Sequence, residues 1–272
     1  MTTEARSAEN RNRLVSHFDS FKSRDKQSAG WSSLWESNES DLWDRGRPSP
    51  ALVAFLEDHP NGREILAQNR PLKAFVPGCG RGHDVAMLAL HGIETWGLEV
   101  SQGAVNVAKE NIKAQMASPA PSNFGSKANR PASADAKVIL GDFFQNDWES
   151  HVAADFQGFD IIYDYTFLCA LLPEMRKDWA QRMSQLLAPT GVLVCLEFPM
   201  WKPLKAPGPP WGLKGVYENL LADGGDGTID ASGRLTKGSP GKGALQRIAY
   251  WSPPESFEQS RGEDMISVWK FK

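Results

Sequence analysis

The sequence has little of what marks a disulfide-bonded, zinc-binding or membrane-spanning protein. Its 272 residues contain three cysteines, Cys79, Cys169 and Cys195, and no CxxC pair. We therefore expect neither a disulfide framework nor a zinc site. No apolar run approaches the roughly 18 residues of a membrane span, and the polar N-terminus lacks the apolar stretch of a signal peptide. These absences predict a cytoplasmic protein that does not associate with membranes.

A strong charge of either sign is also absent. The formal net charge is -3, with no long basic or acidic block, so the sequence gives no electrostatic reason to expect a nucleic-acid partner. Hydrophobic residues make up 41% of the chain, which is ordinary for a globular protein. This composition and length suit one large α/β domain.

Short apolar runs alternate with amphipathic stretches along most of the chain. Such alternation is typical of a mostly parallel sheet flanked by helices. We expect a single domain over residues 31–272, preceded by a polar, mobile segment at 1–30 with one helix near Arg13–Phe21. Two loop insertions are predicted, near 117–136 and 222–243. Predicted strands cover residues 72–77, 93–101, 136–144, 159–168 and 191–200, with two final strands near 247–254 and 265–272.

Residues typical of helix ends predict where one helix begins and where another ends. Ser49 and Pro50 predict a helix start, since serine is a favoured N-cap and proline suits the first helical position. The helix over residues 173–191 is expected to close at Pro189 and Gly191.

A glycine-rich turn joins the first predicted strand to a helix. The string "VPGCGRGHD" places Gly78, Gly80 and Gly82 at every second position, where glycines let the backbone turn tightly and approach a ligand. The spacing is G-x-G-x-G, unlike the G-x-G-x-x-G of dinucleotide-binding turns, and no Walker lysine follows. This pattern is typical of Rossmann-like (class I) methyltransferases that use S-adenosylmethionine (SAM), and it makes Gly78 and Gly80 candidate cofactor-binding residues.

Acidic residues follow the next two strands. Glu99 ends the second strand, where a carboxylate can accept hydrogen bonds from both hydroxyls of a ribose. Asp142 and Phe143 follow the third strand, where an aspartate can reach an adenine amino group and a phenylalanine can cover the ring. In an α/β sheet these strand ends meet at one edge.

Several strings together resemble the thiopurine S-methyltransferase family, and in particular its plant and fungal halide/thiol methyltransferases. They include "WSSLWESNESDLWDRGRPSP", "VPGCGRGHDV", "GDFF", "FDIIYDYTFLCALLPEMRKDWAQRM" and "GPPW". The resemblance implies a seven-stranded class I fold, an N-terminal arm over the cofactor, a monomer, and methyl transfer from SAM to a small thiol or sulfide, or to a halide or thiocyanate. It also implies cofactor contacts at Trp31, Trp35, Trp43, Gly78, Glu99, Asp142, Phe143 and Tyr165.

The sequence does not identify the methyl acceptor, and the loop insertion near 222–243 is expected to roof the acceptor pocket. Asp164 and Tyr165 end the fourth strand and are both candidate catalytic residues. Adjacent strand positions face opposite sides, so we expect one of them, preferably Tyr165, to face the site, while Asp164 has an alternative role in binding backbone amides. Two other functions stay open at this point: an NAD-dependent oxidoreductase and a non-catalytic SAM-binding protein.

Overall fold

A computed structural model describes residues 3–125, 132–153, 156–258, 260 and 262–272. Strands and helices alternate in it, which confirms the predicted α/β class. The helices of these residues are α1 (Thr3–Phe18), α2 (Arg24–Glu36), α3 (Pro50–Asp58), α4 (Pro60–Leu66), α5 (His83–Leu90), α6 (Gln102–Ala117), α7 (Arg176–Leu186) and α8 (Val216–Leu221). The strands are β1 (Lys73–Pro77), β2 (Glu94–Glu99), β3 (Ala136–Leu140), β4 (Phe159–Tyr165), β5 (Leu187–Glu197), β6 (Leu245–Trp251) and β7 (Met265–Phe271).

The seven strands of the described residues form one mixed sheet with the order β3-β2-β1-β4-β5-β7-β6. Strands β1 to β5 run parallel, whereas β7 pairs antiparallel with both β5 and β6. The strand order reverses at β1, because β2 and β3 lie on one side of it and β4 and β5 on the other. Ligands of such sheets bind outside the carboxyl ends of the strands at this switch point, and the glycine turn lies there.

Apolar side chains of the central strands fill a layer on each face of the sheet. Phe75 and Ile162 belong to one layer, and Val76 and Ile161 belong to the other. Neighbouring residues separate in this way because successive side chains of a strand point to opposite faces. Both faces are covered, which explains why the central strands read as nearly continuous apolar runs.

Local sequence explains several helix boundaries and corrects one. The Oγ of Ser49 accepts a hydrogen bond from the N–H of Leu52 at 3.4 Å, and α3 begins at Pro50 as predicted. The predicted helix end at Pro189 is wrong, because α7 ends at Leu186 and β5 begins at once. A proline disfavours helical geometry in the residue before it, and Leu187 already pairs with β4.

The N-terminal segment is helical where the sequence predicts a polar, mobile segment. Helices α1 and α2 occupy most of its described residues. Leu14 and Phe18, one helical turn apart on α1, are buried against Leu34 of α2. The rings of Phe18 and Trp31 lie 4.6 Å apart, centroid to centroid. Few apolar residues form this cluster, and they are spread over a largely polar segment, so composition alone did not reveal it.

The two predicted insertions connect regular elements. Within 117–136, residues 126–131 lie outside the described residues, and the described part is tied down by the N–H of Gly125, which donates to Glu57 Oε1 at 2.7 Å. Residues 222–243 form a loop beside α8. Asn219 holds it, because its Oδ1 accepts from the N–H of Gly227 at 2.9 Å and its Nδ2 donates to the carbonyl of Thr236 at 2.8 Å.

The helices differ from membrane-spanning ones. Within the described residues, none combines the length and the apolar character that crossing a bilayer requires.

Candidate active site

The glycine turn brings the backbone to the edge of the sheet in a conformation that favours glycine. Gly78, Gly80 and Gly82 have φ angles of 57°, 56° and 71°, in the left-handed region that side chains disfavour. A Cβ on Gly78 would lie 2.5 Å from Cδ2 of Phe167, whereas the nearest atom to a Cβ on Gly80 is Cζ2 of Trp35 at 4.0 Å. Gly78 therefore needs glycine for packing, and Gly80 borders open space.

A cavity of about 290 Å³ opens at the carboxyl ends of β1, β2 and β4. Helices α1 and α2 form the wall opposite the sheet. No residue of the described loop 222–243 lines this cavity, so the prediction that this loop roofs the acceptor pocket has no support in the structure. The predicted cofactor-binding residues do line it: Trp31, Trp35, Trp43, Gly78, Gly80, Glu99, Asp142, Phe143 and Tyr165.

Glu99 places a carboxylate at the end of β2, directly beside the glycine turn. Its Oε1 accepts a hydrogen bond from the N–H of Gly80 at 2.6 Å, and the side chain is 8% exposed. Burial raises the pKa of Glu99 to about 7, and the hydrogen bond from Gly80 opposes that rise. The carboxyl group is thus held at the turn but lacks the donors that would keep it fully ionised at neutral pH.

Asp142 and Phe143 form the cavity wall after β3. One carboxylate oxygen of Asp142 accepts a hydrogen bond from the N–H of Phe144 at 2.9 Å, which fixes the side chain on its own loop. Phe143 is buried, and its ring contacts Phe167 edge to face at 5.0 Å between centroids. The loop thus presents an acidic group and an aromatic ring side by side.

Three tryptophans of the N-terminal arm pack against one another above the turn. Trp43 lies between Trp31 and Trp35, with ring centroids 5.4 Å and 5.5 Å away in edge-to-face arrangements, a favoured geometry for aromatic pairs. Trp31 and Trp35 both belong to α2. The same three rings therefore stabilise the arm and form part of the cavity wall.

Asp44 connects this arm to the first turn of α5. Its Oδ2 lies 3.4 Å from Nε2 of His83, and its Oδ1 lies 3.8 Å from Nε of Arg81. Burial would raise the pKa of Asp44, but the interactions with His83, the N–H of Gly46 and Arg81 outweigh it and hold that pKa below its usual value. Arg81 also donates to the Oγ of Ser40 at 2.8 Å, so the arm and the turn are joined at two points.

Asp164, one of the two predicted catalytic residues, does not line the cavity. Its side chain is completely buried. Oδ2 accepts hydrogen bonds from Nε1 of Trp179 at 3.0 Å and from the N–H of Leu168 at 3.2 Å, and Oδ1 accepts from the hydroxyl of Tyr217 at 3.3 Å. Strand alternation turns this residue away from the site, so the geometry corrects the catalytic prediction and matches the alternative in which Asp164 binds a backbone amide.

Tyr165, the next residue, faces the cavity. Its ring stacks on Phe257 at 5.6 Å and contacts Phe198 at 6.1 Å, centroid to centroid. Its hydroxyl is buried and has no hydrogen-bond partner of ordinary geometry among the described residues. Burial raises the pKa of Tyr165, and the charge of Arg45 opposes that rise. At neutral pH the group is a phenol, so it can donate a hydrogen bond but cannot act as a base.

Two tempting nucleophiles or bases near the turn are engaged in packing. The Sγ of Cys79 packs so closely on Gly97 that a Cβ added to this glycine would lie only 2.5 Å from it. Burial raises the pKa of this thiol well above its usual value. His83 faces Asp44 on one side, and its Nδ1 lies 3.2 Å from Nδ2 of Asn111 on the other. Both residues line the cavity, but the thiol of Cys79 is packed against Gly97, and the ring of His83 lies between Asp44 and Asn111.

The sequence did not identify several other residues that line the cavity. Asp84 accepts a hydrogen bond from the N–H of Ser49 at 2.7 Å, and burial raises its pKa to about 6. Arg45, Phe198 and Phe257 come from connecting segments, and nothing in their local sequence predicts that they face the cavity. For Asp84 a signal existed, because it is an acidic residue in the first turn of the helix after the glycines.

Comparison with known proteins agrees with this geometry. The family model of thiopurine S-methyltransferase matches residues 26–224. Probable thiol methyltransferase 2 of Arabidopsis thaliana is 30% identical over 239 residues, which cover 87% of this chain and 90% of the relative. Thiocyanate methyltransferase 1 of Brassica oleracea is 32% identical over 246 residues, covering 90% of this chain and 85% of the relative.

Solved structures are similar at the level of the fold. Magnesium protoporphyrin IX methyltransferase from Synechocystis PCC 6803, crystallised with SAM, superposes with a TM-score of 0.55 at 14% identity and covers 90% of this chain and 97% of that one. At this identity the likeness concerns the fold alone. The family match and the two plant relatives favour methyl transfer over the NAD-dependent alternative, and the chain belongs to the thiopurine S-methyltransferase family of SAM-dependent methyltransferases.

Proposed function

We propose that this enzyme methylates a small thiol or thiocyanate, with sulfide and halides as further candidate acceptors. The observation that carries the proposal is one continuous cavity with two different ends. One end is bounded by the glycine turn, Glu99 and Asp142, and the other by Tyr165 and Phe198. The names of the plant relatives, a probable thiol methyltransferase and a thiocyanate methyltransferase, support these acceptor classes.

The first end fits SAM. Open space borders Gly80, and Glu99 offers a buried carboxylate that lines the cavity and accepts a hydrogen bond from the N–H of Gly80. In our proposal Glu99 accepts hydrogen bonds from the ribose hydroxyls, Asp142 and Phe143 contact the adenine, and Gly78 and Gly80 contact the methionine portion. When bound, SAM supplies a methyl group on a positively charged sulfur.

The arm has a role that follows from that charge. Aromatic rings attract cations through their electron-rich faces, and Trp31, Trp35 and Trp43 stand in the wall above the turn. We infer that they exclude water and shield the cationic sulfur. Exclusion of water also favours the reaction because an unhydrated anion or thiol is a better nucleophile.

The second end would hold the acceptor. Phe198, Phe257, Pro209 and Pro210 give it apolar walls, and Tyr165 provides a hydroxyl donor. The protein need not form a covalent bond with either substrate, since orientation and desolvation of the two reactants can supply much of the acceleration. Tyr165 is thus the catalytic residue of the proposal, and it acts by positioning the acceptor.

A methyl-transfer screen tests this function directly. The purified enzyme is incubated with SAM labelled at the methyl group and, separately, with thiocyanate, sulfide, iodide, bromide and a set of small thiols. We expect labelled volatile or extractable products with at least one thiol or with thiocyanate. Binding of S-adenosylhomocysteine (SAH) without turnover of any acceptor would favour the non-catalytic alternative and overturn the proposal. The monomeric state, the cytoplasmic location and the single domain at 31–272 remain predictions.

A further inference from the structure

Arginine side chains line the cavity wall near Tyr165, at the proposed acceptor end. Arg45 lies in the segment between α2 and α3, and Arg11 belongs to α1; both line the cavity. The two guanidinium groups are near enough for the charge of Arg45, together with the larger effect of burial, to lower the pKa of Arg11. Lys202, after β5, lies near Arg11 but is not among the residues that line the cavity; burial and, to a smaller extent, the charge of Arg11 lower its pKa.

The strand order shows which end of the cavity these cations occupy. Glu99 and Asp142 follow β2 and β3, on one side of β1. Arg45 instead lies near Tyr165, the last residue of β4, and near Cys169, on the other side of β1. It opposes the effect of burial on the pKa of Tyr165, and it does the same at Cys169, where burial is again the main cause of a raised pKa.

Arg45 has no partner that neutralises it. Its Nε is buried without a hydrogen bond, and no ion pair within 4.0 Å reaches it from the described residues. Asp264 lies beyond ion-pair distance of Arg45. Burial raises the pKa of Asp264, and its hydrogen bonds and the charge of Arg45 oppose that rise; its Oδ2 accepts from the Oγ of Ser260 at 2.7 Å, while its Oδ1 has no partner among the described residues. Lys202, by contrast, donates to the carbonyl of Pro210 at 2.6 Å. Arg45 is therefore a cation on the cavity wall, near Tyr165, with no ion-pair partner among the described residues and no acceptor there for its Nε.

Partial burial of a cation beside other cations costs free energy, and a bound anion offsets this cost. We propose that Arg45 selects the methyl acceptor by binding it as a small anion, in contact with the Tyr165 hydroxyl. The inference rests on the proposed function and narrows it to anionic acceptors: thiocyanate, hydrosulfide, halides and the thiolate forms of small thiols. A guanidinium suits this task because it keeps its charge and offers several donors in a plane.

The chemistry balances without a general base. The acceptor sulfur of thiocyanate uses an electron pair to form the new bond to the methyl carbon, and the carbon–sulfur bond of the sulfonium breaks and leaves its pair on that sulfur. The products are methyl thiocyanate and the neutral thioether SAH, and no proton moves. A thiol must lose its proton to solvent before it binds, so its apparent KM should fall as the pH rises toward the thiol pKa, whereas the KM of thiocyanate should not.

The test compares Arg45→Gln with Arg63→Gln, an exposed arginine of α4 that lies outside the cavity. We expect Arg45→Gln to raise the KM for thiocyanate by about tenfold to a hundredfold, the range expected for loss of a hydrogen bond to a charged group, with a smaller change in kcat. Arg45→Lys should restore part of the loss. Titration of thiocyanate into the enzyme saturated with SAH, followed by tryptophan fluorescence, should show the same weakening without turnover.

Three outcomes would overturn the inference. Equal KM values for thiocyanate in Arg45→Gln and the wild type would exclude a role in acceptor binding. If SAH affinity fell while the thiocyanate KM stayed constant, Arg45 would belong to the donor and not to the acceptor. Faster turnover of a neutral thioether than of any anion by the wild type would refute anion selection. Absence of methyl transfer by the wild type to every acceptor would instead refute the proposed function.

Discussion

The sharpest test of the SAM site is the pH dependence of cofactor binding through Glu99. Burial raises the pKa of this carboxyl to about 7 in the ligand-free protein. The proposed contact with ribose hydroxyls requires the ionised form, because a carboxylate accepts two hydrogen bonds where a protonated acid also presents a donor. Binding should therefore be linked to loss of the Glu99 proton.

The magnitude follows from this pKa. With a pKa of about 7, about a tenth of Glu99 is ionised at pH 6 and about nine tenths at pH 8. The affinity for SAH should thus rise about tenfold between these pH values, and close to one proton should be released on binding at pH 6. Calorimetry in two buffers of different ionisation enthalpy measures both quantities.

Glu99→Gln should remove this slope and weaken binding at pH 8 by about tenfold to a hundredfold, since charge-assisted hydrogen bonds are lost. Glu94→Gln is the matched control: it lies at the other end of β2 and pairs with Lys137 at 2.8 Å. If Glu99→Gln bound SAH as tightly as the wild type and with the same pH slope, Glu99 would not belong to the site.

The ligand-free protein should show the same titration in its stability. The pKa of Glu99 in the folded protein lies above the ordinary glutamate value of 4.5, so the folded state binds the proton more tightly than the unfolded state does. The contribution of this proton to stability is complete below pH 4.5 and is lost as the pH rises through about 7. Glu99→Gln should abolish this part of the pH dependence in thermal unfolding experiments.

Three further predictions concern packing around the site. Gly78→Ala should destabilise the fold by about 1–3 kcal/mol in chemical denaturation, because its Cβ would meet Phe167 at 2.5 Å on a backbone with positive φ; unchanged stability would contradict this account of the turn. Asp164→Asn should lower stability by a similar amount while the folded fraction keeps its kcat, since its partners are structural; loss of kcat at full stability would restore the catalytic assignment. Deletion of residues 1–45 should abolish turnover but keep the circular dichroism of the α/β core, because the arm has its own apolar cluster; an active truncation would remove the tryptophans from the site.

The sheet and the donor side could be predicted from the sequence because their signals are local. Gly78 and Gly80 mark a turn wherever they occur after a strand, and Glu99 marks the end of the next strand. Parallel strands then bring these ends together without further information. The cavity positions of these residues agree with that expectation, and their contacts with SAM remain to be tested.

The acceptor side could not be predicted in the same way. Alternation showed that only one of Asp164 and Tyr165 could face the site, but the choice depends on which face of β4 meets α7, where Trp179 lies. Arg45 and Phe257 reach the cavity from segments without regular structure, and their positions are set by tertiary packing. The arm was predicted only in part: the helix expected near Arg13–Phe21 overlaps α1, whereas α2 was missed. The few apolar residues of these helices acquire a core only by packing against each other.

This division follows from how the fold builds the two halves of the cavity. The donor half is formed by strand ends and a glycine turn whose backbone geometry tolerates little change, as the close approach of Gly78 to Phe167 shows. The acceptor half is formed by loops and by the arm, where a substitution alters the cavity wall without disturbing a strand. Trp43 and Arg45 connect the halves, because they lie two positions apart on one segment that Asp44 ties to His83 beside the turn. A change of acceptor therefore needs only a change in this segment or in the loops, whereas loss of the glycine turn would remove the donor site itself.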